Sequence, residues 1–302
     1  MPIAVQFDQP VSGRIPRALV YGGTVNVTSP SPTSVAFAMF ARELIGAAFG
    51  GRNPELAQFD LLPADHAAIL RSLTPRFTQH PESRRYVQAL VMERGCDPET
   101  TYVGVPRLRA CTGDEHLVAG LDAWRPRRDT WCAAPLAQLN HWMPVYEIAD
   151  DDGIALHLEY FSQAIANDSA GYDHAVGTSA PLPGPTETVN PFSASAFLTP
   201  VGGVLQFSGQ HLYCSVPTDS DRTRFSIDFA TVDVEDIRAG LGARNVDCRC
   251  TGSSIRDFVR AADLAPMPRD VIAMLDDRPE TGGEPVYAQP TERVFTPTFT
   301  KA

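Results

Sequence analysis

The sequence predicts a mainly β protein with flanking helices (α+β), its strands forming a barrel or sandwich braced by N-terminal helices. Three observations carry that expectation. Apolar residues recur at helical spacing in three stretches between Ser34 and Arg94. From Tyr102 onward the texture changes to short β-type runs separated by Gly, Pro and Asp. The connections between those runs are long, and the helices precede the strands.

Taken in order, residues 1–32 are mixed, with turn-rich Tyr21-Gly22-Gly23 and Ser29-Pro30-Ser31-Pro32. Ser34 can cap a helix running to Ala48, with Phe37, Phe40, Ala41, Leu44 and Ile45 on one face. Ala64 to Leu73 and Glu82 to Arg94 read as two further helices. The best strands are Gln138–Ile148, Ile154–Phe161, Gly203–Cys214 and Arg222–Val232, with Thr218-Asp219-Ser220-Asp221 as the turn before the last. A helical piece follows Val234, and another helix is expected from Ser254 to Ala262. Residues 1–302 are expected to form one domain, with 1–100 as a helical part packed on the strands and 279–302 as an extended tail.

Bulk properties exclude several function classes. Apolar content of 43% and charged content of 20% are ordinary for a soluble globular chain. A net charge of -11 speaks against a nucleic-acid or anionic-membrane partner. It leaves room for a local basic pocket, for which Arg125, Arg127 and Arg128 are candidates. The six cysteines show no CxxC or zinc-ribbon spacing, only Cys248-Arg249-Cys250, and are expected to be reduced thiols in a cytoplasmic protein. Met1 to Pro10 lacks a basic start and apolar run, so no secretory signal is expected. The apolar stretch from Val35 to Gly50 is interrupted by Arg42 and Glu43 and is too short to span a bilayer.

Period-2 reasoning groups the chemistry. Arg127 and Asp129 lie two apart on an expected strand and share a face, as do His211, Tyr213 and Ser215. His157-Leu158-Glu159 is an HxE that matches a metal pair on a strand, and frequently arises by chance. His141, His157 and His211 suggest a cupin-like trio. Arg224, Ser226 and Asp228 alternate with Phe225, Ile227 and Phe229. A cation at Arg224 needs an anionic ligand or Asp228 to offset its burial. His174 falls in a long loop, Ala164 to Phe192, of the kind that can cover a barrel mouth.

Four segments in order carry a family resemblance: Arg128-Asp129-Thr130-Trp131, the run from Gln138 to Tyr146, Phe207-Ser208-Gly209-Gln210-His211-Leu212-Tyr213, and the run from Thr223 to Phe229. Asn245-Val246-Asp247 through Arg260 adds a C-terminal extension. Together they resemble bacterial phytanoyl-CoA dioxygenase-like proteins of the Fe(II)/2-oxoglutarate oxygenase superfamily. The resemblance implies a double-stranded β-helix (jelly-roll, cupin-like) barrel, with Fe(II) held by two histidines and a carboxylate and 2-oxoglutarate as co-substrate. The family's first histidine falls on Arg127, its carboxylate on Asp129 and its distal histidine on Tyr213. Its keto-acid arginine falls on Arg224, eleven residues on. Ser215 and Trp142 fall where the keto acid is touched, and Gln138 and Asn140 join them as ligand-binding candidates.

An arginine stays protonated and offers no lone pair to a metal. Arg127 with Asp129 therefore reads either as a buried ion pair filling an abandoned site or as a fixed cation standing in for the metal. Tyr213 and His211 read as proton-transfer groups, or Tyr213 as a barrel-filling aromatic. A ligand moved to His211 would sit about 6.5 Å along the strand, far for a bond of about 2 Å.

The expectation is an enzyme of secondary metabolism running non-oxidative chemistry, an isomerisation, cyclisation or elimination. Arg127, Asp129, His211 and Tyr213 would be its catalytic set, with no cofactor. Its partner would be a small acidic or carbonyl-bearing molecule, with no nucleic acid and no membrane, and a homodimer is left open. One alternative is an active Fe(II)/2-oxoglutarate-dependent hydroxylase with a rebuilt site from Asp129, His157, Glu159 and His211. The other is a non-catalytic binding or partner subunit.

Overall fold

A computed structural model describes residues 4–112, 125–148, 153–176, 182–216 and 222–276. Trp124, Pro217, the turn from Thr218 to Asp221 and the tail from Pro279 lie outside the described residues.

The protein is α+β, with two β-sheets. The larger sheet contains β1 (Val5–Phe7), β2 (Val25–Thr28), β3 (Thr101–Val103), β4 (Arg107–Cys111) and β5 (Leu139–Pro144). It also contains β8 (Val204–Ser208), β10 (Arg224–Asp233) and β11 (Val259–Arg260). The order is β1-β2-β8-β5-β10-β3-β11, with β4 beside β3 along the same edge of β10. The smaller sheet has β6 (Ile154–His157) between β7 (Ala194–Phe197) and β9 (Tyr213–Ser215). Among the described residues no ladder joins the two sheets, so the expected barrel is an open pair of facing sheets.

Alternation assigns the two faces of the larger sheet. Val25, Trp142, Leu205 and Phe207 point inward and pack against Ile154 and Leu156 of the smaller sheet. The opposite face presents Leu108, Met143, Phe225, Ile227 and Phe229 to three helices. These are α2 (Pro32–Phe49), α3 (Pro63–Gln79) and α4 (Pro81–Glu93). Ser31 caps α2 by accepting from the Ser34 amide, with Pro32 following it in the first turn. The helix ends at Gly50, whose φ of 60° is the left-handed region. Pro75 lies inside α3, yet the helix is held by its hydroxyls: Thr74 donates to the Leu108 carbonyl at 2.9 Å and Thr78 to that of Pro106 at 2.9 Å.

Several expectations need correction. Residues 1–32 are not mixed coil but contribute β1, α1 (Arg14–Tyr21) and β2, so the first hundred residues supply sheet as well as helices. The run from Ile154 to Phe161 leaves the sheet at His157 and becomes a 3-10 turn over Leu158–Ser162. The run from Gly203 to Cys214 is two strands in different sheets, because a turn at Gly209 and Gln210 carries the chain across. Ser254 to Ala262 is a 3-10 turn over Ser254–Asp257 and then β11. Short α5 (Val234–Arg238) and α6 (Arg269–Leu275) close the chain's described part. Among the described residues no helix is long and apolar enough to cross a membrane.

Two buried histidines tie the acid stability of the fold to its core. His141 stacks on Phe229 with ring centroids 4.5 Å apart and contacts the Thr231 hydroxyl and the Gln206 amide. His211 is fully enclosed, with its ring nitrogens at the carbonyls of Ser208 (3.2 Å) and Gly23 (3.1 Å). Burial pushes His141 down to about 3 and His211 down to about 4. The unfolded chain binds these protons first as pH falls below about 6.5, so stability is full above that point and is lost on acidification. Between there and about pH 4 the loss is on the order of 1 kcal/mol per pH unit per histidine. Urea unfolding at about pH 7 and about pH 5 should show this fall, and His141→Gln should flatten it; an unchanged slope in that variant would refute the assignment.

Candidate functional site

The site is hung on Arg128, whose side chain is wholly buried beside Asp247, with Nε 3.2 Å from Oδ2. Its other nitrogens donate to three carbonyls, Gln210 at 2.5 Å, Tyr160 at 2.7 Å and Gln163 at 2.8 Å. Asp247 also accepts from the Trp131 indole (2.8 Å) and the Ile165 amide (3.1 Å). The expected basic pocket of Arg125, Arg127 and Arg128 is thus dispersed. Arg125 lies along Asp168 and the Pro185 carbonyl, and Arg128 is part of the frame.

Clamping Arg128 outward turns Arg127 and Asp129 inward. Arg127 is not in a full strand: it makes a single bridge to Tyr213, with two reciprocal backbone bonds of 2.9 Å. Asp129 opens a 3-10 turn that ends at Ala133, a non-glycine residue with φ of 66°. The bridge lays the Arg127 guanidinium over the Tyr213 ring, 5.0 Å from its centroid. The Tyr213 hydroxyl donates to Asp129 Oδ1 at 2.7 Å. Asp129 Oδ2 accepts from Asn140 (2.5 Å) and Gln138 (3.1 Å), and Gln138 also donates to Asn140. Burial raises the Tyr213 phenol well above its ordinary value. Tyr213 and Asp129 beside it hold Arg127 above its own. The phenol therefore stays protonated and the guanidinium charged at any working pH.

A second group lies on the same interior face. Arg224 donates to the Ser215 hydroxyl at 2.7 Å and the Gly153 carbonyl at 2.5 Å, with its guanidinium over Trp142 at 5.8 Å. Asp228, expected as a partner for Arg224, instead pairs with Arg109 at 2.8 Å. Arg107 and Arg109 share the Asp228 side of β4 by period 2, and both are exposed. Sequence reasoning missed both; the Arg107-Leu108-Arg109 alternation was the available signal.

The histidines are not gathered here. His211 is not on a strand with Tyr213 but in the turn before β9, and both ring nitrogens face backbone carbonyls. His157 faces away from the interior, with Nδ1 at the Ser193 hydroxyl (2.8 Å). Glu159 is on the 3-10 turn that follows. His141 is on the helix side of the larger sheet. Neither the set Asp129, His157, Glu159 and His211 nor the three-histidine trio is assembled. His174 contacts Asp257 at 3.1 Å, away from this face.

No family model matches the sequence, and no curated protein matches it. Solved structures do. EvdO2 from Micromonospora carbonacea var. aurantiaca is 11% identical, with a TM-score of 0.36 over 53% of this chain and 62% of its own. The chain thus spans less than two thirds of EvdO2. ThoJ, a non-heme monooxygenase, is 12% identical with a TM-score of 0.36, over 68% and 71% of the two chains. SnoN, an epimerase, is 14% identical with a TM-score of 0.38, over 72% and 82%. At these values the likenesses assign no activity to this chain.

They do correct one expectation, that of no cofactor. The similar structures include EvdO2 complexed with 2-oxoglutarate, a ThoJ–Ni complex, and SnoN with Fe3+, alpha ketoglutarate and nogalamycin RO. The side chains here do not fit an iron centre. Arg127 and Tyr213 stand with Asp129, whose two oxygens already accept from three donors, and among the described residues no three His, Cys, Asp or Glu converge.

Arg128→Ala or Asp247→Ala should cost about 3–5 kcal/mol, since each strands a buried charge. Arg222→Ala, which removes an exposed pair with Glu55, should stay within about 0.5 kcal/mol. Chemical denaturation measures both; equal, small effects would sink the clamp.

Proposed function

We propose that the protein is a small-molecule enzyme, of the secondary-metabolism kind the sequence resemblance implies, acting on a carboxylate- or carbonyl-bearing substrate. The observation that carries this is electrostatic. In a chain of net charge -11, Arg127 and Arg224 stand on one interior face, exposed Arg107 and Arg109 lie on the same side of the sheet, and the acids beside them among the described residues are Asp129 and Asp228. Arg127, Asp129, Tyr213 and Ser215 are half-buried, so solvent reaches them. Fixed cations in such a setting bind anions and stabilise developing oxyanions.

In this reading Arg224 and Ser215 hold a carboxylate above Trp142. Arg127 polarises the neighbouring carbonyl oxygen. Tyr213, kept protonated, turns its hydroxyl from Asp129 to that oxygen. Asp129 Oδ1 then loses a donor and becomes the acceptor for a proton from the adjacent carbon. The carbon–hydrogen electron pair moves into the enolate, which Arg127 and Tyr213 stabilise. Return of the proton to a different position or face completes an isomerisation. Gln138 and Asn140 keep the carboxylate aimed, and His211 serves the frame.

Calorimetric titration with 2-oxoglutarate and with succinate tests the binding half. Arg224→Ala and Arg127→Ala should each weaken binding by about 10–100-fold, the worth of a charge-assisted hydrogen bond. Arg222→Ala should leave it unchanged. Proton NMR in deuterated water tests the chemistry: the wild type should exchange the C3 protons of 2-oxoglutarate, and Tyr213→Phe should bind the acid and not exchange them. Equal affinity in wild type and both arginine variants overturns the reading.

A further inference from the structure

On the far side of the turn that carries Asp129 lies a dithiol that the proposed chemistry does not use. Cys248 and Cys250 approach to 3.1 Å between sulfurs. Both reach the Thr130 carbonyl, Cys248 at 2.8 Å and Cys250 at 3.5 Å. Neither is fully buried, and Cys248 lines an open groove of about 500 Å3 with Ile165, Glu187, Asn245 and Arg249. The remaining thiols are placed differently: Cys111 and Cys214 are buried, and burial raises Cys96 and pushes Cys132 up to about 12.

We propose that Cys248 and Cys250 form a redox-active pair that is oxidised to an intramolecular disulfide by a low-molecular-weight disulfide docking in this groove. Cys248 is the attacking sulfur, because it is the one the groove exposes. Its thiolate displaces one thiolate from the reagent and forms a mixed disulfide. The Cys250 thiolate then attacks the Cys248 sulfur and expels the second thiolate. Two protein thiols are oxidised, one reagent disulfide is reduced, and the two protons the protein thiols give up end on the two released thiolates. The hydrogen bond from Cys250 favours the first step, since it draws the Cys248 thiol down to about 7 while Cys250 itself is raised. The groove suits a peptide disulfide, whose carboxylates and ammonium meet exposed Arg249 and Glu187 at its rim. Closing the bond removes both S–H donors from Thr130, so the redox state is read directly by the turn next to Asp129.

The test uses the reduced full-length chain, oxidised glutathione as the probe, and peptide mass mapping with a thiol count. The expected result is loss of two thiols and a Cys248–Cys250 peptide lighter by two hydrogens, reversed by dithiothreitol. It should form at least about tenfold faster than Cys132 reacts. Cys250→Ser should stop at glutathione on Cys248, and Cys248→Ser should leave Cys250 unmodified at that rate. Modification spread evenly over the six cysteines, a bond from Cys132, or no loss of thiols overturns the proposal. None of these outcomes depends on carboxylate binding at Arg127 and Arg224, so failure here is separable from failure of the proposed function.

Discussion

A single buried charge organises the interior. Arg128 gives up water entirely, a penalty of several kcal/mol per ion that only a complete set of partners offsets. Asp247 and three carbonyls from two separate segments supply that set. Because the backbone alternates, fixing Arg128 outward leaves its two neighbours one orientation. Arg127 and Asp129 must face the space between the sheets, and Tyr213 is drawn in by the bridge to Arg127. The site's geometry thus follows from an interaction that never touches a ligand.

The same logic applies to the arginines proposed to hold the substrate. A guanidinium between two sheets would be costly if left in an apolar setting. Here each lies against a polarisable face or a polar edge: Arg127 on Tyr213, and Arg224 on Trp142 with Ser215 and the Gly153 carbonyl. The chain as a whole carries a net charge of -11, while Asp129 and Asp228 on this side of the sheet are already engaged. Among the described residues, Arg127 and Arg224 beside Asp129 give this face the opposite sign to the whole chain.

Much of this was legible in the sequence. The three long helices and the strands at Leu139 and Arg224 were announced by periodicity, since each has one apolar face against a single large core. The juxtaposition of Arg127, Asp129 and Tyr213 was legible through the resemblance, and so were Arg224 and Ser215. What escaped was whatever depends on partners distant in sequence. Residues 4–28 hold strands of three and four residues, too short for a period to register. Ser254 to Ala262 has helical composition but pairs with β3 instead. Arg128 is indistinguishable in type from its neighbours, and only the position of Asp247, far along the chain, makes it structural. His211 looked reactive because spacing cannot reveal that backbone carbonyls face its ring.

The second strand of the larger sheet has a consequence for how the chain is made. Its one antiparallel neighbour is β8, and the Asn26–Gln206 contact joins positions 180 residues apart. At ribosomal speeds of roughly 5–20 residues per second, that partner emerges some 10–35 s after Asn26. Until then Val25 and Val27 have no facing strand, and an unpaired edge is the species that chaperones recognise and that aggregation recruits. The newborn chain therefore carries this unpaired edge at β2 for the whole interval in which β8 is still being translated.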